Sequence, residues 1–477
     1  MKKATFLFWI LLIPIFILAA SGNSRDNNSL AAKVDALFAE WDNRNSPGCA
    51  LAVIKDGAIV YKRGYGMADL EHDVPISSNT VFYIGSTSKQ FVTACILLLA
   101  EQGKLALDDD LRKFIPEFPQ YDKPITIRHL VHHTSGIRDY LTLWELSGRS
   151  YLDYVPEQAV LDMICRQKEL NFAPGDQHLY SNSCYFLLGV IVKRVSGKTL
   201  KEFAHENIFA PLAMNNSHFH DDNKHLVKNR AFGYAKTDNG KFGNLTMRFD
   251  LVGSGGLYTT VDDLFLWDQN FYNNKLGKSG PQLIETMLTN GKLSNGEEVN
   301  YAFALTHGVY RGAKTVSHGG ALGGYRAQLL RFPEHKFSVV ILSNLASFNP
   351  TALAYKVADI YLAEHLKPLE ISIEENVQSN DAPAKKSGKL ALAGAQLQEF
   401  AGDYGSEELE VSCKISTEND RLFFQIKNNP KMAVEPFDKD AFAAGGSKLV
   451  FQRDRNKRIT GFTVDAGRVK NLKFTKK

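Results

Sequence analysis

Hydrophobic and polar positions change their period several times along this chain, and each change marks an element. Residues 6–18 are an almost unbroken apolar run behind Met1-Lys2-Lys3, and the small residues Ala19-Ala20-Ser21-Gly22 follow it. That is the layout of a secretory signal peptide over 1–22. The run falls short of the ~20 residues a spanning helix needs, and Pro14 interrupts it. Two β-rich runs, 51–54 and 58–61, flank Lys55-Asp56-Gly57, and an Asp-Gly between such runs predicts a tight hairpin. A second hairpin is predicted from 326–332 through Pro333-Glu334-His335-Lys336 to 337–342. Between them, residues 90–102 are apolar on nearly every side and stop at Gly103, which predicts a helix buried inside a domain. Residues 185–195 predict another apolar element, ended by Ser196-Gly197.

Strands at both ends with helices between them predict one antiparallel sheet packed against a helical region over 30–366. After Pro368 the texture changes. Residues 369–394 read as a polar linker around Ser379-Asn380-Asp381-Ala382-Pro383. From Phe400 onward, short β-type runs (409–415, 422–426, 448–452, 461–464 and 469–474) alternate with turn residues. They predict a separate small all-β unit over 395–477.

Composition narrows the function classes. The chain has 477 residues, a net charge of +4, 23% charged and 44% hydrophobic residues. That is ordinary for a soluble globular protein and far from the disordered corner. No nucleic-acid footprint is present in so small a net charge. Five cysteines in this length exclude a disulfide scaffold, and an odd number leaves at least one thiol unpaired. The sequence leaves a Cys165–Cys184 bridge open. Residues 385–477 hold eighteen basic against twelve acidic residues. Such a surplus is most often a solvated face, with contact to an anionic cell envelope as the functional alternative.

The sharpest chemical feature is Gly85-Ser86-Thr87-Ser88-Lys89 at the head of the apolar helix. A serine is a poor nucleophile until a base takes its proton. Ser-x-x-Lys on a helix places the amine one turn from the hydroxyl on the same face, beside the free N–H groups of the helix start. A free lysine, with its pKa of about 10.4, is almost wholly protonated at neutral pH. Lys89 must therefore be depressed by burial and neighbouring cations, or share the work. Tyr180-Ser181-Asn182 follows the Pro174-Gly175 turn and precedes a buried segment, as a loop in a cleft would. There Tyr180 is a candidate phenolate or proton shuttle, and Asn182 a group to orient the lysine and a substrate amide. The second copy, Tyr272-Asn273-Asn274, reads as a surface helix end. In Ser317-His318-Gly319-Gly320-Ala321, glycines at a strand edge let a substrate backbone approach. The N–H of Ala321 with that of Ser86 is a candidate oxyanion hole.

Ser86-x-x-Lys89, Tyr180-x-Asn182 and His318-x-Gly320, in that order, resemble the serine penicillin-recognising enzymes: class C β-lactamases, low-molecular-weight DD-peptidases, D-aminopeptidases and related esterases. Pro47-Gly48, residues 125–130 with His133-Thr134-Ser135-Gly136, and Gly253-Ser254-Gly255-Gly256-Leu257 are similar as well. The resemblance spans about 30–366, and the tail resembles the lipocalin-like domains appended to such hydrolases. It implies an α+β β-lactamase/transpeptidase-like fold: an antiparallel sheet flanked by helices, an all-helical region, then a small antiparallel β-barrel. It also implies a serine hydrolase without metal or cofactor, forming an acyl-enzyme on Ser86, and the signal-peptide layout of 1–22 adds the expectation of export. Lys89 and Tyr180 are then catalytic, and Asn182, His318, Gly320 and Ala321 bind a small-molecule or peptide substrate. D-amino-acid-containing peptides or small esters are the expected substrates. The alternatives are a class C-type β-lactamase and a penicillin-binding sensor that acylates with little turnover.

One departure bears on substrate. Class C β-lactamases carry Lys-Thr-Gly where this chain has His318-Gly319-Gly320, and histidine is charged only below about pH 6.5. Any carboxylate binding through His318 should fade as pH rises through its pKa. Neutral or amine-terminated substrates are then expected to be the better ones. Among the other histidines, His129, His132 and His133 read as packing and turn structure. His218 and His220, beside Asp221 and Asp222, read as a solvated loop, and Ser254 reads as structural.

Overall fold

The structure is a computed structural model and describes residues 23–368, 394–427 and 429–477. The leader expected over 1–22 lies outside them, as does the expected linker up to 393. The first hairpin is formed by β1 (Cys49–Lys55) and β2 (Ala58–Tyr65), with Asp56 and Gly57 between them at φ of 50° and 83°. Both turn residues thus adopt the left-handed conformation that Asp-Gly tolerates in a two-residue hairpin loop. Late in the chain come β3 (Thr306–Tyr310), β4 (Ala313–Leu322), β5 (Tyr325–Phe332) and β6 (Phe337–Ser343). Strand β6 pairs antiparallel with β1, from Cys49 opposite Ser343 to Lys55 opposite Phe337. The two hairpins therefore share one six-stranded sheet, in the order β3-β4-β5-β6-β1-β2.

Strand β1 is apolar from Cys49 to Ile54 because both its faces are covered there. Cys49, Leu51 and Val53 belong to a core with α1 (Asn23–Phe38) and the helix Pro350–Tyr361. Ala50, Ala52 and Ile54 face the larger core under the helical region. There α2 (Lys89–Glu101) is buried from Lys89 to Leu99, and α3 (Asn182–Ser196) from Asn182 to Val192. These two helices pack against each other. All five cysteines are free thiols, so the Cys165–Cys184 bridge does not form.

The C-terminal unit is a closed antiparallel barrel of eight strands: β7 (Gly402–Ser406), β8 (Val411–Glu418), β9 (Arg421–Ile426), β10 (Met432–Asp438), β11 (Ala441–Ala444), β12 (Ser447–Arg453), β13 (Ile459–Ala466) and β14 (Val469–Lys476). Five of these match runs expected from the sequence. The other three do not look like strands locally: β7 holds two glycines, β10 a proline and β11 is short. Ring closure supplies each with partners on both sides, and Pro436 sits at a bulge, where its missing N–H costs no ladder bond. Eight strands leave an interior that side chains can fill, and here Phe400, Tyr404, Phe442, Phe451, Phe462 and Phe474 pack together. Part of the basic surplus is already paired: Arg453 with Asp440 and Glu399, Arg458 with Asp454, Lys473 with Glu169.

The barrel is docked on the helical region. The guanidinium of Arg138, fully buried, pairs with Glu408 at 2.8 Å and donates to the carbonyls of Lys470 (3.0 Å) and Asn471 (3.1 Å). Removing one partner of such a pair strands a buried charge, a loss of about 3–5 kcal/mol. Glu408→Ala is expected to lower stability by that amount in urea unfolding. Lys473→Ala, which breaks an exposed pair, should cost under about 1 kcal/mol.

Candidate active site

Ser86 lies in the turn Gly85–Ser88 that leads into α2, and it is the half-exposed residue of a buried stretch. Two glycines bring this turn against β4. A Cβ on Gly320 would stand 1.9 Å from the Ile84 carbonyl oxygen and 3.0 Å from the Ser86 nitrogen; one on Gly85 would stand 2.6 Å from the Ala321 nitrogen. No other residue fits either position, so the Ser86 and Ala321 backbones meet at the floor of a cleft of about 690 Å³. Strand β3 pairs with β4 only as far as Ser317. The edge of β4 from His318 to Leu322 is left open toward the cleft, where an extended substrate backbone can pair with it.

Lys89 is fully buried with its amine at the centre of three contacts. Its Nζ lies 2.9 Å from Ser86 Oγ and 2.9 Å from Asn182 Oδ1, and it donates to the Ser254 carbonyl. A neutral amine has two N–H groups and one lone pair. Asn182 and Ser254 offer only acceptors to it, so the lone pair is left for the Ser86 proton. Burial pushes the Lys89 pKa far below that of free lysine, the nearby Arg468 cation pushes the same way, and Asp139 and Cys184 oppose it. Asn182 is itself aimed by the Asp139 carboxylate, which accepts from the Asn182 backbone N–H (2.7 Å) and from Nδ2 (2.8 Å). Ser254 is held through its Oγ by Tyr140 (2.8 Å). Ser88, by contrast, donates to the Gly85 carbonyl at 2.6 Å and accepts from the Leu257 N–H at 3.2 Å, so it braces the turn.

Tyr180 stands on the other side of the amine, its ring centroid 4.9 Å from Lys89 Nζ. Its hydroxyl is enclosed and has no hydrogen-bond partner among the described residues. Burial raises its pKa above that of a free phenol, although the Ser86 hydroxyl and Arg468 pull it partly back. Of the two forms open to it from sequence, this environment favours the neutral phenol over the phenolate. Tyr272 is 42% exposed and on the surface, as expected.

His318 lines the cleft but is not the pH-dependent cation expected of it. The Ser181 N–H donates to His133 Nδ1 (3.2 Å), which leaves the proton of that ring on Nε2, facing Tyr301 Oη at 3.3 Å. The Tyr301 hydroxyl then donates to His318 Nε2 (3.0 Å), and His318 Nδ1–H donates to the Gly319 carbonyl (2.7 Å). Both rings are satisfied as neutral tautomers. Burial, with the Lys89 amine as a second cause, pushes His318 down to about 4. It therefore contributes shape and fixed dipoles at neutral pH. His218 and His220 are corrected too: His218 lies in a short strand stacked on Tyr258, and His220 is buried, because that segment pairs with the strand Leu257–Thr259. His129 caps a helix start with Thr126, and His132 Nδ1 contacts the Tyr301 carbonyl.

A family model described as Beta-lactamase matches residues 33–362. The chain belongs to the Beta-lactamase family. It is a serine hydrolase of that fold, related to penicillin-binding proteins and D-aminopeptidases. A penicillin-binding protein of Bacillus subtilis (strain 168) is 28% identical over 429 residues, covering 86% of this chain and 90% of the relative. A D-aminopeptidase of Brucella melitensis biotype 2 is 25% identical over 505 residues, covering 91% and 96%. Among solved structures, the octameric penicillin-binding protein homologue from Pyrococcus abyssi superposes with a TM-score of 0.61 at 23% identity, over 95% of this chain and all of the other. That likeness extends across the barrel as well as the hydrolase fold.

Four groups that complete this Beta-lactamase site escaped the sequence reading. Asp139 looks like any N-cap, and it does cap the helix Tyr140–Leu146. Ser254 lies in the glycine-rich stretch 253–257 and reads as structural, with nothing to mark its backbone carbonyl as a partner of Lys89, and Tyr301 carries no motif. Arg468 lies in the basic tail, more than 370 residues from Lys89. Only the fold brings them together.

Proposed function

We propose that this hydrolase is exported and works through an acyl-enzyme on Ser86, with D-amino-acid-containing peptides or small esters as substrates. The observation that carries the reading is the Lys89 amine, 2.9 Å from Ser86 Oγ with both its N–H groups already committed to acceptors. Lys89 takes the hydroxyl proton as Oγ attacks the scissile carbonyl. The N–H groups of Ser86 and Ala321 receive the oxyanion. Tyr180 gives its proton to the leaving group and regains one from Lys89. Water then attacks the ester at Ser86, and the same groups run in reverse to release the acid. The apolar run 6–18 behind two lysines supports export. The D-peptide class is supported by relatives named as penicillin-binding proteins and D-aminopeptidases.

A panel of D-peptides, small esters and cephalosporins followed by stopped flow tests this reading. Steady turnover of a D-peptide or ester is expected. A burst without turnover would mark a sensor instead, and cephalosporin rates above all others would mark a β-lactamase. The pH profile is a second test. Lys89 acts as the neutral amine, so kcat/KM should fall as pH drops through its depressed pKa and be flat above it. The charged and titratable groups around that amine include Arg468, Asp139, Cys184, Tyr180, Tyr185, His133 and His318. A rate still climbing at about pH 10, where free lysine titrates, would contradict the assignment.

A further inference from the structure

Three histidines away from the cleft stand together, and two of them face each other. His218 and His220 lie two residues apart in the segment that pairs with the strand Leu257–Thr259. His218 is opposite Tyr258, and the His220 N–H donates to the Gly256 carbonyl at 2.7 Å. Extended backbone alternates its side chains, so both imidazoles share one face while Phe219 between them is buried in the core. The third ring, His225, comes from the loop that follows. Asn223 Nδ2 holds that loop to the Asp250 carboxylate (3.1 Å), and the His225 N–H donates to the Asp222 carbonyl (3.0 Å). The three ring centroids form a triangle with sides of 5.5, 5.6 and 6.1 Å, and the Tyr258 ring backs two of them.

His218 Nε2 faces His220 Nδ1 at 3.4 Å. That is long for a hydrogen bond from an N–H donor, whose usual length is about 2.9–3.0 Å. It does match two nitrogens on one tetrahedral ion, since bonds of about 2.0–2.1 Å hold them about 3.3–3.4 Å apart. Among the described residues, none of the three rings has another hydrogen-bond partner. Burial pushes His218 and His220 down to about 4, so both rings are neutral at neutral pH and offer a lone pair. His225 is exposed, and rotation of its side chain brings a third nitrogen to the pair. Lys201 and Arg230 disfavour positive charge here, and Asp221 and Asp222 favour it, so the surrounding charges offset. None of the three rings lines the cleft of Ser86, so an ion among them has no part in acyl transfer. It would tie the loop to the strand that supports the nucleophile. The Leu257 carbonyl accepts from the Ile84 N–H (3.0 Å), and its N–H donates to Ser88 Oγ.

We propose that His218, His220 and His225 form a structural site for one zinc ion, with His218 Nε2 and His220 Nδ1 already in place and His225 as the arm that closes on it. Zinc takes imidazole nitrogens in tetrahedral geometry, and the fourth position here is left to water. Titration calorimetry with zinc chloride on the untagged full chain, first stripped by a chelator, tests it. One ion per chain is expected, with a rise in melting temperature as zinc is added. Cobalt(II) in place of zinc should give the intense visible absorption of a tetrahedral ion. His220→Ala and His225→Ala should each weaken zinc binding at least about tenfold, since second-sphere losses alone reach that size. His225 is exposed, so its variant keeps the fold and serves where His220→Ala loses it. His72→Ala alters the separate cluster of Asp69, Glu71 and His72 and should leave the affinity unchanged. No zinc uptake at one equivalent, a weak octahedral cobalt spectrum, an affinity unmoved in His225→Ala, or a loss in His72→Ala overturns the proposal.

Discussion

Ser86→Ala is expected to reduce hydrolysis at least about 10⁴-fold, while Ser88→Ala keeps substantial activity. The two hydroxyls stand two residues apart at the head of α2, yet only one is available. Ser86 Oγ faces the cleft and Lys89 Nζ; Ser88 Oγ is spent on the Gly85 carbonyl and the Leu257 N–H. Losing a covalent nucleophile removes the acyl-enzyme route altogether. Losing Ser88 leaves one backbone N–H short of a partner, a stability cost of about 1–3 kcal/mol. Initial rates and melting temperatures of the two variants separate these effects. A dead Ser88→Ala beside an active Ser86→Ala would put the catalytic register on the wrong serine.

Tyr180→Phe is the second large effect. It is expected to cut kcat by about 10² to 10⁴, the range for a general acid–base group, with little change in KM. The structure adds a signature that a merely structural tyrosine would lack. The Tyr180 hydroxyl has no partner at hydrogen-bond distance among the described residues, the nearby Ser86 hydroxyl included, and a buried unpaired polar group is unfavourable. Its removal should therefore leave the melting temperature unchanged or higher while activity collapses. Tyr272→Phe, in the second copy of the tripeptide, is the control and should retain activity. Equal losses in kcat from both variants, or a fall in stability from Tyr180→Phe that matches its fall in rate, would remove Tyr180 from the proton path.

The parts of this molecule that were legible in its sequence are those whose cause is local. Asp56-Gly57 fixes its hairpin because the turn conformation belongs to those two residues. The apolar run of α2 announces burial on all sides, and Ser86-x-x-Lys89 states its own geometry, since three residues make one helical turn. Long-range placement is different. Strands β7, β10 and β11 exist because a closed ring gives their backbones partners, which no local propensity records. His220 is buried because its segment pairs with the strand Leu257–Thr259, not because of anything beside it in the chain. Asp139 and Arg468 are likewise ordinary residues locally, an N-cap and a hairpin tip. They acquire their roles only where the barrel meets the helical region. The titration near pH 6.5 expected of His318 is displaced for the same reason: a histidine reads as an ordinary titrating group until its burial and its two hydrogen-bond partners are known.

The central claim is that Ser86, activated by Lys89, is the nucleophile of this site. Intact-mass analysis after reaction with a fluorophosphonate probe, followed by peptide mapping, tests it most directly. The account predicts one adduct per chain, on the peptide bearing Ser86, formed at neutral pH and lost in Ser86→Ala. An adduct on any other serine, or an unlabelled protein that still hydrolyses its substrate, would contradict it.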